Sequence, residues 1–442
     1  MIERIKSWVL TILITSSVIL TWQIWTFQPN YDHLTPSNYV ESEPFADSQS
    51  LSDVIWPDQI VFHDGLQQAA INGNDEEFRM FFEGLLDSRF EEMTPEQSLE
   101  SEELFNGPRT AEIIFPADVP GEVLQSMLNF ESDAPDFAED ESIDRMFIID
   151  EGDDNESLKV QFITDSGLVL MEGTTDFSRS ELRDSYFSRI TEFSSVFSYY
   201  PDEDEGLSDT IYLPEDTTTQ NIISDTSSEI SHENFLQFLF NDHESVRPYN
   251  QDSGEATYTD GNRMMSLEYG GNYLSYVNPV YSENPSDTQN HVVLSTFDYV
   301  NSHGGWTDTY QLYDWNRESR EETATFRMLV SGLPVFESSG RDLASIDVSR
   351  SGGQISQYSR PLFDFDDSPI NTGGSKTLAS GSEVVSYIED QFESENVENI
   401  RIGYQMEETD NLLYQFEPSW FVKYEDSWYP ISVNEESSSG EG

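Results

Sequence analysis

Six histidines and 85 acidic residues are the side chains in this sequence best suited to moving protons or holding metals. The histidines are His33, His63, His232, His243, His291 and His303. A zinc hydrolase helix places two histidines four residues apart with a glutamate beside the first. His232-Glu233 makes that start, but no histidine follows four residues on. The spacings therefore predict surface or capping histidines. The acidic runs DEGDDNE (150–156) and PDEDEG (201–206) offer oxygen ligands for calcium, yet neither has the D-x-D-x-D-G spacing of a calcium loop. With so many carboxylates, close pairs arise by chance, which devalues any glycosidase couple. Cysteine is absent, which excludes disulfides, thiol catalysis and Cys-ligated zinc. No G-x-S-x-G elbow, S-x-x-K, P-loop or G-x-G-x-x-G occurs. The expectation is a protein that is not an enzyme, with no catalytic residue, no metal site and no cofactor.

The folded elements around these residues must tolerate an extreme charge. Against the 85 acids stand 21 basic residues, for a net charge of −64 over 442 residues. Only Lys6, Lys159, Lys376 and Lys423 are lysines. Nucleic-acid binding needs Lys and Arg to displace counterions from phosphates, so no nucleic-acid partner is expected. A polybasic membrane patch is excluded on the same ground. The chain is nonetheless no disordered polyanion: 28 Phe, 21 Tyr and 8 Trp mark packed domains. The charge reads as an acidic surface suited to a saline or alkaline exterior.

The strongest local signal lies at the start. Between Ser7 and Tyr31 no residue is charged, and the apolar part is long enough as a helix to cross a bilayer. Trp8 stands at one end and Trp22 and Trp25 at the other, as interface anchors do. Arg4 and Lys6 precede the segment and the next basic residue is Arg79, which predicts a cytoplasmic N-terminus and an extracellular remainder. The flank TWQIWTFQPNY lacks the small residues of a cleavage site, so an uncleaved, single-pass anchor is expected.

Residues 30–60 read as a polar stalk. In NDEEFRMFFEGLLDSRF, Phe78, Phe81, Phe82 and Leu85 follow helical spacing. Strands are expected at 110–115, 145–150, 158–164 and 168–172, with a short helix at 122–128. Ser178-x-x-Glu181 and Ser380-x-x-Glu383 are capping boxes that open helices. Asp260-Gly261 marks a hairpin within 257–269, and Gly352-Gly353 another within 345–358. Further helices are expected at 232–240 and 292–300, and strands at 210–213, 323–336, 400–406, 412–424 and 428–433. Trp420, Trp428 and Tyr429 are expected to pack in a core. Few helices among many antiparallel strands predict an α+β fold. The organisation read from the chain is a cytoplasmic tail (1–7), a transmembrane helix (8–28), a stalk with an N-terminal α+β domain (29–200), a central α+β domain (207–287), a C-terminal α+β domain (288–434) and a disordered tail (435–442).

Two stretches carry a resemblance. IKSWVLTILITSSVILTWQIWTFQPNY (5–31) resembles the N-terminus of the YycH (WalH) family, and PSWFVKYEDSWYPI (418–431) resembles its close. TYTDGNRMMSLEY (257–269) and FRMLVSGLPVF (326–336) sit in matching places, and the length and single anchor are similar. The extreme acidity and scarcity of lysine depart from common members. The resemblance implies a membrane-anchored regulator in Gram-positive bacteria, acting with a YycI-like sister protein on the sensor histidine kinase WalK (YycG) of cell-wall metabolism. It implies association through transmembrane helices and extracellular parts, an ectodomain of three α+β domains, and no active site.

A partner helix shifts a kinase between two arrangements only by binding them unequally. Candidate contacts on the anchor are Thr11, Thr15, Ser16, Ser17, Thr21 and Gln23, hydroxyl and amide groups that can bond across helices. They point in several directions, so no single face is identified. The same hydroxyls can instead satisfy carbonyls of their own helix. The alternatives to a regulator are an anchored cell-wall enzyme and a passive surface scaffold.

Overall fold

The computed structural model describes residues 48–433 apart from 100–108, 133–135, 139–140, 153–156, 165, 202–209, 241, 243–245, 251–254, 280–289, 318–320, 338–342, 366–370 and 411–412, and in addition Arg4, Lys6, Ser17 and Ala46. Two units divide the chain, 1–42 and 43–442. Within the first, Arg4, Lys6 and Ser17 are helical and exposed. Among the described residues no helix is long and apolar enough to cross a membrane. The expected anchor, with Trp8, Thr11, Thr15, Ser16, Thr21, Trp22, Gln23 and Trp25, lies outside the described residues.

Apolar alternation and helical periodicity build the second unit. The polar stretch expected to run to residue 60 ends earlier. Helix α1 (Leu51–Val54) is opened by a Ser50–Asp53 capping box and buries Val54. Strand β1 (Gln59–Asp64) follows, then β2 (Gln67–Asn72). Helix α2 (Glu76–Asp87) buries Phe78, Phe81, Phe82 and Leu85, the four residues whose spacing predicted it. The first sheet continues through β3 (Arg89–Leu99), β4 (Arg109–Pro120), helix α3 (Gly121–Met127), β5 (Asn129–Phe130), β6 (Ser142–Asp150), β7 (Leu158–Ile163) and β8 (Leu168–Thr175). Ser178 accepts the backbone N–H of Glu181 and opens α4 (Arg179–Glu181). A π turn (Leu182–Tyr186) and a 3-10 turn (Phe187–Glu192) prolong it and bury Leu182, Tyr186, Phe187 and Ile190. Tyr186 stacks on Phe62 at 5.3 Å between ring centroids, which fixes this turn over β1. Strands β9 (Ser194–Tyr199) and β10 (Ile211–Pro214) complete a ten-stranded sheet ordered β10-β9-β2-β1-β4-β6-β7-β8-β3-β5.

The second sheet holds β11 (Thr218–Glu229), β12 (Arg247–Asn250), β13 (Ala256–Thr259), β14 (Met264–Glu268), β15 (Tyr273–Val277), β16 (Tyr310–Arg317), β17 (Glu322–Val330), β18 (Leu333–Glu337), β19 (Ser345–Ser351), β20 (Gln354–Pro361), β21 (Phe363–Phe365), β22 (Asn371–Leu378), β23 (Val397–Asp410), β24 (Leu413–Tyr424) and β25 (Ser427–Ile431). Its path runs β12-β13-β14-β15-β20-β19-β17-β18-β23-β24-β11-β21, with β16 on β17, β22 on β11 and β25 on β24. Helices α5 (His232–Leu239), α6 (Val292–Ser302) and α7 (Gly381–Gln391) cover it, α7 opening on the expected Ser380–Glu383 box. All described strand pairs are antiparallel except β3/β5 and β18/β23, as an α+β fold requires.

One expected strand is two. The run 323–336 turns back at Ser331-Gly332, both at positive φ (48° and 73°), to form the β17–β18 hairpin. Two left-handed residues in a two-residue loop match the strands' twist. Trp420 is buried and Trp428 packs on Phe336, whereas Tyr429 is 46% exposed because β25 is an edge strand whose alternate residues face water.

Candidate functional site

Glu112 sits on β4 with no solvent exposure, in a position where an ionised carboxylate survives only if it is saturated with donors. Three strands supply them. His63 on β1 donates from Nε2 at 2.9 Å, Arg145 on β6 from Nη1 at 2.7 Å, and Tyr212 on β10 from its hydroxyl at 2.7 Å. Burial pushes the Glu112 pKa up, but the His63 hydrogen bond and the Arg145 charge outweigh it and hold the carboxyl below its usual range. Burial also drives the Tyr212 hydroxyl well above its ordinary value, with the Glu112 charge adding to the rise, so it stays a donor. Gln68 carries the network outward, donating to His63 Nδ1 at 3.4 Å and accepting from Ser198 on β9 at 3.2 Å.

Arg145 and Tyr212 also form one wall of a cleft of about 620 Å³ between the two sheets. Tyr313, Trp315, Arg401 and Lys423 line the opposite side. The walls are bolted together around it. Arg401 pairs with Asp58 and lies over the Tyr313 ring at 5.6 Å. Gln311 donates to the Trp56 carbonyl at 2.9 Å, and Trp315 donates to that of Asp118 at 2.6 Å. Gln49 and Asn301 exchange two bonds, at 3.0 and 3.1 Å, and Trp306 donates to the same Asn301 oxygen at 2.8 Å. The lining cations are all committed: Arg145 to Glu112 and Asp144, Arg401 to Asp58, and Lys423 to Glu398 at 2.6 Å. The buried Glu112 carboxylate holds Arg145 on Oε1 and His63 and Tyr212 on Oε2, so it ties strands β1, β6 and β10 to β4 and the arrangement acts as a joint.

The histidines serve structure. His291 caps α6, accepting from Val293 N–H at 3.3 Å, and burial beside Arg317 and Arg350 pushes it down to about 4. His303 stacks on Tyr299 at 3.8 Å, and His232 bonds the Tyr258 hydroxyl at 2.9 Å. His33 and His243 lie outside the described residues. Among the described residues, no group of three or more His, Asp or Glu is placed to hold a metal. Of the acidic run at 150–156, Asp150 is buried between Arg179 and Arg183; residues 153–156, like 202–206, lie outside the described residues.

The joint falls where two family models meet. The YycH protein N-terminal domain matches residues 3–186, and the YycH protein C-terminal domain matches 208–437. The chain belongs to the YycH family. It is 23% identical over 455 residues to the Two-component system WalR/WalK regulatory protein YycH of Bacillus subtilis (strain 168), covering 97% of this chain and 96% of that protein. Its fold is that of the crystal structure of YycH from Bacillus subtilis, with a TM-score of 0.71 at 18% identity over 87% of this chain and 98% of that one. In this YycH-family chain, Glu112, His63 and Arg145 lie in the N-terminal family region and Tyr212 in the C-terminal one. Sequence reasoning missed all four. A lone Glu in an apolar strand, AEIIF, was the one available signal, since a buried position carrying a charge demands partners.

Proposed function

We propose that this protein is a single-pass membrane accessory protein that regulates a WalK-like sensor histidine kinase, together with a YycI-like partner, through transmembrane-helix and extracellular contacts. The observation that carries the reading is the end-to-end match to a WalR/WalK regulatory protein, with both family regions present in order. The uncharged segment 7–31 after Arg4 and Lys6 supports an N-in anchor in the cell membrane, with the rest of the chain outside. The reading divides the outer part into domains at 29–200, 207–287 and 288–434. The protein works by binding and not by catalysis.

In this reading the signal passes by helix or ectodomain contacts. Thr11, Thr15, Ser16, Ser17, Thr21 and Gln23 are the proposed helix contacts, and Trp8, Trp22 and Trp25 the interface anchors. The test replaces Thr11, Thr15, Ser17 and Thr21 by Leu, which keeps the span apolar and removes the small hydroxyl positions. The variant is expected to remain in the membrane and lose most of its effect on kinase output. The same ectodomain on an unrelated apolar helix should fail likewise. If both regulate as well as the parent, the helix is only a tether.

A further inference from the structure

A buried hydroxyl is nearly always paired in a folded protein. Tyr313 departs from that rule. It stands on β16 and is 8% exposed, and its hydroxyl makes no hydrogen bond among the described residues. The ring is nonetheless held in one place. Phe336 and Trp428 pack on it at 6.1 and 6.0 Å between centroids, and the Arg327 guanidinium lies over it at 4.4 Å. Nearby on β23, Arg401 gives one Nη to Asp58, while its buried Nε meets no acceptor among the described residues. Both residues line the cleft between the sheets. At about 620 Å³ the cleft falls in the range of small-molecule sites, about 300–1,000 Å³. The Arg401–Asp58 pair and the Gln311 and Trp315 bonds cross from wall to wall, so the cleft is formed before any ligand arrives.

Donor chemistry and charge together select the occupant. A guanidinium Nε only donates, so the ligand must bring an acceptor. Five carboxylates, Asp314 and Glu398 among them, line the cleft against three cations, Arg145, Arg401 and Lys423. Each of the three cations already pairs with a carboxylate. An anionic acceptor would therefore be repelled, whereas a neutral carbonyl is tolerated and a positive charge elsewhere on the ligand is attracted. A peptide amide supplies such a carbonyl, and a basic side chain supplies the charge. We propose that the cleft binds a short peptide bearing a basic side chain. A backbone carbonyl of the ligand accepts from the Tyr313 hydroxyl and Arg401 Nε, and the cation lies toward Asp314, which is solvent-exposed. The site belongs to the two-sheet body and needs no kinase, so it stands or falls apart from the regulatory reading.

The test is calorimetry on the full-length chain in detergent, at about 0.15 M salt to screen diffuse attraction to the acidic surface. The probe is N-acetyl-Ala-Lys-Ala amide. Comparison probes are the same peptide with Ala or Glu at the centre, and butylamine, a cation with no acceptor. The lysine peptide is expected to bind at one site, the alanine peptide several-fold more weakly, and the glutamate peptide and butylamine not measurably. Tyr313→Phe should weaken the lysine and alanine peptides alike by about fivefold, the worth of one hydrogen bond. It should melt no lower than the parent, because the lost hydroxyl holds nothing in the free protein. Asp314→Asn should weaken the lysine peptide and leave the alanine peptide unchanged. No binding by the parent, equal binding of the three peptides, butylamine binding as tightly as the lysine peptide, or lysine-peptide affinity that either variant retains in full would each overturn the proposal.

Discussion

The hydroxyl of Tyr212 donates to the buried carboxylate of Glu112 at 2.7 Å, joining residues 100 positions apart and from different family regions. Strand β10 therefore finishes a sheet made from the preceding part of the chain. The two regions share packing as well: one core cluster holds Phe78 and Ile113 of the first together with Phe326 and Val335 of the second. The family boundary in sequence is not a boundary in the core.

Removing one partner from this network leaves buried charge uncompensated. Glu112→Ala should cost about 3–5 kcal/mol, and Tyr212→Phe about 1.5–3 kcal/mol for a hydrogen bond to a charged group. Denaturant titration of both variants and of the double variant checks this. The double variant should cost less than the sum of the singles, because they share one interaction.

The same residue sets an acid limit. The folded pKa of Glu112 lies below its ordinary 4.5. Its contribution is thus complete above the unfolded value and disappears as pH falls through the folded one. Unfolding free energy should fall as pH drops below about 4.5, and less steeply in Glu112→Gln. Parallel profiles for the two proteins would remove Glu112 from the account.

Asp308 acts in the opposite sense. Its Oδ1 accepts from Phe365 N–H at 3.2 Å, while Oδ2 has no hydrogen-bond partner. Burial pushes its carboxyl up to about 7. A raised folded pKa means that the unfolded chain loses its proton first, so stability declines as pH climbs from the ordinary 3.8 towards 7. Asp308→Asn keeps the shape without the charge and should be more stable than the parent at pH 8 by about 1–3 kcal/mol, with no gain at pH 4. Chemical denaturation at the two pH values decides it.

Gly332 in the β17–β18 turn meets Gly73 after β2. A Cβ at Gly332 would stand 2.6 Å from the Gly73 carbonyl carbon, and its φ is 73°. Gly332→Ala must therefore either strain the turn or push the sheets apart. A loss of about 1–3 kcal/mol is expected, larger than for Gly261→Ala, whose Cβ would meet nothing within 4 Å.

Net charge sets the salt response. At −64, self-repulsion is strong in dilute buffer and screened at molar salt. The melting temperature of the full chain should rise from dilute buffer to molar NaCl. Indifference to salt would mean that the charges are spaced beyond mutual influence.

Local chemistry was readable in the sequence wherever it was self-contained. The Phe78–Leu85 spacing, the Ser380–Glu383 box and the turns at Asp260-Gly261 and Gly352-Gly353 each specify an element from adjacent residues. Strands without an apolar signature were not readable. β11 is rich in Thr and Ser, and β3 carries Thr94-Pro95. Each gains its place from neighbours distant in the chain. The Glu112 joint was invisible for a related reason: it is a product of strand register, and that register depends on distant pairings such as Ala69 with Ser195, 126 residues apart.

The paired bonds between Gln49 and Asn301 have a mechanical meaning. Tension on the chain ahead of Gln49 is borne first by Asn301, at the C-terminal end of α6 and braced by Trp306. It does not fall first on β1, which begins only at Gln59. A tug from the leading end therefore reaches the second sheet through α6 before it loads the first. The two bonds act as a strain relief, so that β1 keeps its register when the leader is pulled.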